Sequence, residues 1–248
     1  MANVTDFRKT GSIDPELFDF LARTDTCMIS NAIETFDVRM RNEGFICDSV
    51  RSLLPGLAPV AGFAVTGRIR TTSPPIADLC YYHRIDWWHH VASLPGPKII
   101  AVADVDHIPG TGAFLGEIHA RIAQALGCVA YVTNGAVRDL PGLEEAGFAC
   151  FASGTSVSHA YAHVIDFGGP VDIGGLTIAT GDLLHGDRHG VQTIPLEIAH
   201  KLPPEVERIR KREAELIRFC QSPEFSLAEL DKILDQERAS CQPPKLRR

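Results

Sequence analysis

The pattern of apolar and polar residues in the middle of the chain predicts a helix followed by a buried strand. The apolar residues that fall on one helical face are Leu115, Ile118, Ile122 and Leu126. Their spacing predicts an amphipathic helix over residues 115–126, and Gly127 stands where a helix end favours a residue that adopts positive φ. The almost wholly apolar run Cys128–Thr133 then predicts a strand covered on both faces. The segment therefore predicts one helix–strand unit of an α/β sheet.

The rest of the chain shows helical periodicity at both ends and short strands between them. Helices are predicted over 14–21, 26–36, 76–93, 196–219 and 226–238, and a short helix or turn over 141–147. Strands are predicted over 62–72, 97–105 and 148–152, and as a series of short strands between 163 and 195. Pro203 and Pro204 break the helix that begins at residue 196. We expect the helix over 76–93 to place Trp87 and Trp88 at a pocket mouth or a subunit contact.

Composition and charge restrict the class of protein. The chain has 248 residues, of which 45% are hydrophobic and 22% are charged, as is ordinary for one large globular domain or a domain with an appendage. The net charge of -7 does not favour binding to nucleic acid or to an anionic membrane. No apolar run reaches the roughly 18 residues of a membrane span, and the first ten residues lack the apolar core of a signal peptide.

The cysteines and histidines do not form a recognisable metal or redox motif. The seven cysteines are scattered and have no C-x-x-C spacing, so we expect reduced thiols in a cytoplasmic protein, with Cys128 and Cys150 in the core. The histidines at 83, 89 and 90 lack H-E-x-x-H spacing and do not predict a zinc site. The chain also lacks a P-loop and a G-x-G-x-x-G loop before a helix, so a nucleotide-binding Rossmann unit is not expected.

An adjacent Arg–Asp pair follows the buried strand and an Asn-Gly turn. Open α/β sheets bind ligands beyond the carboxyl ends of their strands, where Arg138 and Asp139 are expected. Asp139 offers a hard oxygen ligand suited to Mg²⁺ or Mn²⁺, and Arg138 is a permanent cation that can stabilise an oxyanion. A solvated loop ion pair is the alternative interpretation. Asp104 and Asp106 similarly are either supporting residues of this site or solvated loop residues.

The first turn of the predicted helix offers a second set of polar groups. The backbone N–H groups of about Glu117, Ile118 and His119 lack helical acceptors and can receive a substrate carboxylate, aided by the helix dipole. Gly116 lets such a ligand approach the backbone closely, and the Glu117 carboxylate lies near the same place. The alternative for Glu117 is helix electrostatics with an i,i+4 pair to Arg121. The His119 side chain is expected at the surface or its boundary.

Four motifs carry a resemblance to a known family. They are G-E-I-H-A at 116–120, N-G-A-V-R-D at 134–139, F-A-S-G-T-S at 151–156 and G-D-L-L-H-G-D-R-H-G-V at 181–191. The chain resembles the RraA-like family over about residues 26–215, most densely over 112–195. That family contains the 4-hydroxy-4-methyl-2-oxoglutarate/4-carboxy-4-hydroxy-2-oxoadipate aldolases. The combination of motifs is highly specific for the family and much less specific for one activity.

The resemblance implies the fold, the assembly and the kind of partner. The fold is α/β, a three-layer β/β/α swivelling domain like phosphohistidine domains, with N- and C-terminal helices. The implied division is a family domain over 1–199, which includes the N-terminal helices, and a C-terminal helical extension over 200–248. A homotrimer or a dimer of trimers (a hexamer) is implied, with active sites at subunit interfaces. The expected partner is a small-molecule 2-oxo acid, and neither nucleic acid nor a membrane.

The family's functional residues map onto the two motifs around the buried strand. In its aldolases the aspartate of the R-D pair binds a divalent metal, which implies that Asp139 holds Mg²⁺ or Mn²⁺. The arginine, here Arg138, stabilises the pyruvate enolate. Backbone amides at the helix start, here near Ile118 and His119 after Gly116, hold the pyruvate carboxylate.

Two further acids belong to the implied site. The carboxylate that positions a metal-bound water is Glu117, where the aldolases usually have aspartate, so that the acid here reaches one methylene further. A glutamate from a neighbouring subunit's C-terminal helix completes the water shell, and Glu213 or Glu215 matches it. The family often has an acidic residue at the position of Gly142. The acids available to replace it here are Glu144 and Glu145.

The implied activity is metal-dependent retro-aldol cleavage of a 4-hydroxy-2-oxo acid to pyruvate, with oxaloacetate decarboxylation through the same enolate. The alternative is a regulator that binds a ribonuclease of the RNase E type without catalysis. Intact Arg138, Asp139 and Glu117 favour the lyase. A methyltransferase label also attaches to the family, but the chain has no glycine-rich cofactor loop of the expected type.

Overall fold

The computed structural model describes residues 14–47, 49–75 and 85–240, with side chains up to residue 235. The helices are α1 (Pro15–Leu21), α2 (Thr26–Glu34), α3 (Ile85–Ser93), α4 (Glu117–Ala125), α5 (Leu140–Glu145), α6 (Leu196–Ala199), α7 (Leu202–Cys220) and α8 (Leu227–Ser240). The strands are β1 (Arg51–Ser52), β2 (Val60–Arg70), β3 (Lys98–Asp104), β4 (Ala113–Leu115), β5 (Cys128–Thr133), β6 (Ala136–Val137), β7 (Ala149–Ala152), β8 (Gly154–Thr155), β9 (His163–Phe167), β10 (Val171–Ile173), β11 (Leu176–Ile178), β12 (Leu183–Asp187) and β13 (Gly190–Ile194).

A mixed sheet forms the centre of the molecule. In the described residues it has eight strands in the order β1-β7-β5-β3-β2-β12-β13, with β9 also paired to β2. The inner strands β2, β3, β5 and β7 are parallel, whereas the pairs that β1, β9, β12 and β13 make are antiparallel. The long strand β2 pairs through its first residues with β12 and through its last residues with β9. The parallel strands are apolar runs because both of their faces are buried.

Two cores on opposite faces of this sheet define the layers. One face packs against α3, α4 and α5, and representative members of this core are Val65, Ile100, Tyr131, Trp87, Ala120 and Leu143. The other face packs under the β10–β11 hairpin, through Ala64, Ile99, Ala101, Val132, Ile173 and Ile178 among others. A hairpin layer, a sheet layer and a helix layer follow one another, which confirms the predicted β/β/α fold.

A third core joins the helices at the two ends of the chain to the β12–β13 edge of the sheet. Its members include Leu21, Ile29 and Ile33 from α1 and α2, and Leu202, Val206 and Ile209 from the first turns of α7. Pro203 and Pro204 lie in the first turn of α7, after a break that separates it from α6, where proline costs no helical hydrogen bond. The division of the chain at residue 199 stays a prediction, and the start of α7 packs on the N-terminal helices.

The prediction for the central helix was wrong in its start and in its buried face. Leu115 lies in β4, because residues 113–115 pair with β6 in a small parallel sheet of order β4-β6-β8 that the sequence pattern did not predict. The helix begins at Glu117, and its buried residues are His119, Ala120 and Ala123. Ile118 is 64% exposed. Small alanines let α4 pack closely on the sheet, and the larger isoleucines stay outside.

The aromatic helix α3 also differs from its prediction. Trp87 is fully buried against Phe167 within the chain, so it lies neither at a pocket mouth nor at a subunit contact. Trp88 is partly buried and stacks on His119. The first part of the helix predicted over 76–93, with its histidine at 83, lies outside the described residues. The cysteines at 128 and 150 are core residues, as predicted, and burial raises the pKa of their thiols to about 11 and about 12.

Among the described helices, none combines the length and the apolar composition that a bilayer crossing requires.

Candidate functional site

The small β4-β6-β8 sheet brings two helix starts side by side. Leu115 in β4 pairs with Val137 in β6, and the Arg138 N–H donates to the Leu115 carbonyl at 3.0 Å. Immediately after these paired residues, Gly116 leads into α4 and Asp139 leads into α5. The polar residues predicted at 116–117 and at 138–139 are therefore brought together, although more than twenty residues of chain separate them.

The Asp139 carboxylate lies at the start of α4. One of its oxygens accepts the Glu117 N–H at 3.2 Å, and the other accepts Nε of Arg138 at 3.2 Å. Both side chains are partly open to solvent, with 42% of Asp139 and 34% of Arg138 exposed. Asp139 has φ 57° and ψ 41°, the left-handed conformation that aspartate tolerates better than most residues. Non-glycine residues held in this region cluster at functional sites.

Gly116 is required by this close approach. A Cβ atom at this position would lie 2.5 Å from Oδ2 of Asp139 and 3.1 Å from Cγ of Arg138. The φ of Gly116 is -136°, an extended conformation open to any residue, so that space and not backbone geometry calls for glycine here. The anion that this space admits is the protein's own Asp139 carboxylate, and the role of Gly116 toward a ligand stays a prediction.

The Glu117 carboxylate enters the same junction from the side of α4. One oxygen lies 3.5 Å from the guanidinium of Arg121 one turn later, the pair that the electrostatic interpretation predicts, and 45% of the side chain is exposed. The carboxylate also lies against Gly142 in α5. Glu117 therefore faces both its own helix and the neighbouring helix start.

The His119 side chain was predicted at the surface or its boundary, and that prediction was wrong. The ring is buried and packs between Trp88 and Phe114, at ring-centre distances of 5.7 and 5.0 Å. Burial, with a smaller contribution from the charge of His159, lowers the pKa of His119 from 6.5 to about 4. His119 is therefore a neutral aromatic residue at physiological pH, and it anchors the first turn of α4 to α3.

The backbone amides of that first turn are partly used by the protein itself. The Glu117 amide binds Asp139, so the Asp139 carboxylate occupies one of the three N–H groups predicted for a substrate. The Ala120 amide donates to the Gly116 carbonyl at 3.0 Å and closes the first turn of the helix. The role predicted for the amides of Ile118 and His119 in holding a carboxylate stays a prediction.

Asp104 supports the loops beneath the site. Its buried carboxylate accepts the N–H groups of Gly110 and Asp106 at 2.8 and 3.1 Å. Its backbone exchanges two hydrogen bonds with the side chain of Asn134, at 2.8 and 2.9 Å. These bonds join the ends of β3 and β5, and so hold the turn that leads to β6 and Arg138. In the sequence, these hydrogen bonds were indicated only by an aspartate and an asparagine at the ends of two predicted strands.

The acids assigned to α5 and α7 lie on the surface of the chain. Glu144 and Glu145 are exposed on α5, and Glu213 and Glu215 are exposed on α7. The contribution of Glu213 or Glu215 to a neighbouring subunit's site stays a prediction.

The donor atoms at the junction are those that Mg²⁺ or Mn²⁺ prefers. Within the described ranges, no three side chains of histidine, cysteine, aspartate or glutamate gather in a metal-binding group. Mg²⁺ does not require such a group, because it keeps several waters and takes one or two carboxylates. Asp139 and Glu117 supply two half-exposed carboxylates without a soft ligand beside them. The residues present therefore fit a hydrated dication.

The fold and the site define a class: a β/β/α protein with two acidic side chains and an arginine at adjoining helix starts. The family model described as Aldolase/RraA, of the RraA-like family, matches residues 26–192, which is more than half of the chain. The chain belongs to the RraA-like family.

A relative in sequence carries an aldolase name. It is a protein of Halalkalibacterium halodurans named "Putative 4-hydroxy-4-methyl-2-oxoglutarate aldolase", and it is 33% identical over 102 residues. The match covers 41% of this chain and 47% of the relative, so the chain spans about half the length of this relative.

Similar solved structures carry other names. RraAS2 of Streptomyces coelicolor, described as an unusual member of the RNase ES inhibitor RraA protein family, has a TM-score of 0.62 at 21% identity, covering 84% of this chain and 97% of its own. A structure described under novel cellulases from microbes of the gut ecosystem has a TM-score of 0.68 at 21% identity, covering 82% and 88%. At such identities these similarities establish the fold, while the names differ.

Proposed function

We propose that this protein is a metal-dependent lyase that cleaves a 4-hydroxy-2-oxo acid to pyruvate and also decarboxylates oxaloacetate. The observation that carries the proposal is the convergence of Arg138, Asp139 and Glu117 at two adjoining helix starts. The similarity to an aldolase-named relative supports it. A solvated surface ion pair would not need a left-handed aspartate or a glycine beneath its carboxylate.

Asp139 and Glu117 would hold Mg²⁺ or Mn²⁺, Asp139 directly and Glu117 through water, with Glu213 or Glu215 of a neighbouring subunit as a further ligand through water. Such an ion supplies Lewis-acid stabilisation of the negative charge that develops on the substrate. Arg138 is placed to share that charge, because its guanidinium lies beside Asp139.

Each step of the cleavage has a protein group that binds the substrate, orients the water or stabilises charge. The start of α4 receives the substrate carboxylate on the amides of Ile118 and His119. Glu117 orients the water that accepts the proton of the C4 hydroxyl. The C3–C4 bond breaks as C4 becomes a carbonyl, its electron pair forms the C2–C3 double bond of an enolate whose charge lies on the C2 oxygen, and Arg138 stabilises that charge until the water returns the proton to C3. In oxaloacetate the same bond breaks with loss of CO₂.

An assembly in which the site lies between subunits is part of the proposal. Ile118 and Ile122 are exposed on α4 next to the site. Uncovered β-branched residues there suit a contact with another copy of the chain. We expect a homotrimer or hexamer by light scattering on the purified protein.

A pyruvate-coupled assay tests the activity. With oxaloacetate and 4-hydroxy-4-methyl-2-oxoglutarate, turnover is expected with Mg²⁺ or Mn²⁺, is lost with a chelator, and returns when metal is restored. A metal-loaded protein that is inert toward a panel of 4-hydroxy-2-oxo acids would overturn the proposal.

A regulator that binds a ribonuclease is the second candidate, and the similarity of fold to RraAS2 favours it. This reading predicts direct binding to an RNase E-type enzyme and reduced RNA cleavage, unaffected by substitution of Asp139 to Asn. The lyase proposal predicts instead that the activity of the protein is lost in Asp139→Asn.

A further inference from the structure

We infer that Gly142 is a positioning residue: the space left by its missing side chain is where Glu117 places its carboxylate. The inference rests on the proposed function, because it concerns how that carboxylate is held in the site. It assigns a role to a residue of α5 that has no functional group of its own.

Gly142 lies against one side chain, that of Glu117. A Cβ atom on Gly142 would lie 2.5 Å from Oε2, 2.6 Å from Cδ and 2.9 Å from Cγ of Glu117. Real Cβ atoms essentially never approach another heavy atom within 3.0 Å. The three nearest atoms all belong to Glu117, so an added methyl group would meet this side chain before anything else.

The backbone conformation does not explain why residue 142 is a glycine. Gly142 lies in the first turn of α5 and is not among the residues with positive φ, unlike Gly147 just after the helix. Glycine is also a poorer helix former than alanine. The chain therefore has a helix-destabilising residue at the position where α5 faces the Glu117 carboxylate.

The junction has a reciprocal arrangement. Gly116 on the α4 side leaves room for the carboxylate of Asp139, and Gly142 on the α5 side leaves room for the carboxylate of Glu117. Each helix start lacks the side chain that would block the acid of the other. The two glycines thus let both carboxylates enter one junction, as joint binding of a hydrated dication requires.

The ion pair with Arg121 predicts where Glu117 would go if this space were filled. The pair is long, at 3.5 Å, and both side chains are about half exposed, so it holds the carboxylate weakly. A methyl group at residue 142 would turn the flexible end of Glu117 away from α5, toward Arg121 or solvent. The fold would be kept, because the displaced atoms, from Cγ outward, belong to a half-exposed side chain that can adopt another rotamer.

The test is Gly142→Ala in the full-length protein, with Gly56→Ala as a control. A Cβ at Gly56 meets no atom within 4 Å. For Gly142→Ala we expect an equal or higher Tm, together with a loss of about 10–100-fold in Mn²⁺ affinity or in kcat, the range typical of a displaced outer-sphere carboxylate. Mn²⁺ affinity is measured by calorimetry without substrate. Gly56→Ala should change none of these quantities.

A double variant separates displacement of Glu117 from other effects. Glu117→Ala removes every atom that the added Cβ would meet within 3.0 Å, so the methyl group of Gly142→Ala should have little further effect on Mn²⁺ affinity in that background. An equal loss in both backgrounds would overturn the inference, as would a Gly142→Ala protein with unchanged Mn²⁺ affinity and kcat, or one with a lowered Tm. A wild-type protein that binds Mn²⁺ but cleaves no 2-oxo acid would reject the proposed function alone, and the Mn²⁺ comparison would still test Gly142.

Discussion

The molecule contains two aspartates that accept the first N–H of a helix from another part of the chain, and they differ in what else surrounds them. At the end of β12, Asp187 accepts the Thr26 N–H at the start of α2, at 2.9 Å. At the start of α5, Asp139 accepts the Glu117 N–H at the start of α4, at 3.2 Å. The side chain of Asp187 is 6% exposed and that of Asp139 is 42% exposed.

In both contacts a carboxylate is attracted to the start of a helix, but the two contacts have different roles. Burial would raise the pKa of Asp187, but the N–H groups of Thr26 and His189 outweigh it and lower the pKa below its usual value. Its hydrogen bonds are short and sheltered from water, so it fixes α2 to the sheet. Asp139 has two long contacts and an open side, so that it can exchange them for a ligand.

Asp139→Asn is expected to produce the largest effect on function. The amide keeps the size of the side chain and tolerates the left-handed backbone, but it loses the anionic oxygen that a dication needs. We expect kcat/KM on oxaloacetate to fall by at least about 10³-fold, since Lewis-acid stabilisation is worth several kcal/mol. The oligomer and the Tm should be unchanged, as checked by light scattering and calorimetry.

Asp187→Asn is the matched control for this variant. The new NH₂ group cannot accept the N–H groups that both carboxylate oxygens accept now, and a buried donor left without an acceptor costs about 1–3 kcal/mol. Stability should therefore fall while kcat below the Tm is retained. If Asp139→Asn lowers stability and spares activity, the contrast between the two aspartates is wrong.

Arg138→Ala tests the cation beside the open aspartate. Removal of one group that stabilises a developing oxyanion lowers kcat by about 10²–10³-fold, and the loss should be seen in kcat measured at saturating substrate and metal. Because the Arg138–Asp139 pair is half exposed, the change in Tm should be small. Arg121→Ala, at the neighbouring exposed pair, is the control. If both variants retain wild-type kcat, Arg138 has no role in stabilising the enolate.

The sequence allowed the layers of the fold to be predicted, but not which aspartate is structural. The resemblance and the apolar runs of β3 and β5 predicted the β/β/α architecture. Asp139 beside Arg138 and Asp187 beside Arg188 cannot be told apart in the sequence, since each is an Arg–Asp neighbour pair in a motif of the family. Only the packing of α2 over the second motif buries Asp187.

The errors at α4 have a common physical origin. Periodicity identifies the larger apolar residues, but the face that packs on the sheet uses alanines and a histidine, which allow close approach. The two-residue strand β6 and its partners are too short for any pattern to reveal. The role of Gly142 could not be read either, because nothing in a sequence distinguishes a helical glycine that makes space from one that does not.

His119 provides the last test, through the dependence of stability on pH. Its pKa is lowered in the folded protein to about 4, while the unfolded chain titrates near 6.5, so the unfolded state binds more protons between these values. Stability is then fully present above pH 6.5 and is lost as the pH falls toward 4. For this residue alone the loss between pH 7 and pH 5 is about 2 kcal/mol.

His119→Phe keeps a ring between Trp88 and Phe114 and removes the titration. Urea unfolding at pH 7 and pH 5 should therefore show a smaller difference for the variant than for the wild type. Some difference will remain, because burial also lowers the pKa of His90 and His185. An unchanged difference would mean that water reaches the His119 ring, and the first turn of α4 would then be as open as the carboxylates beside it.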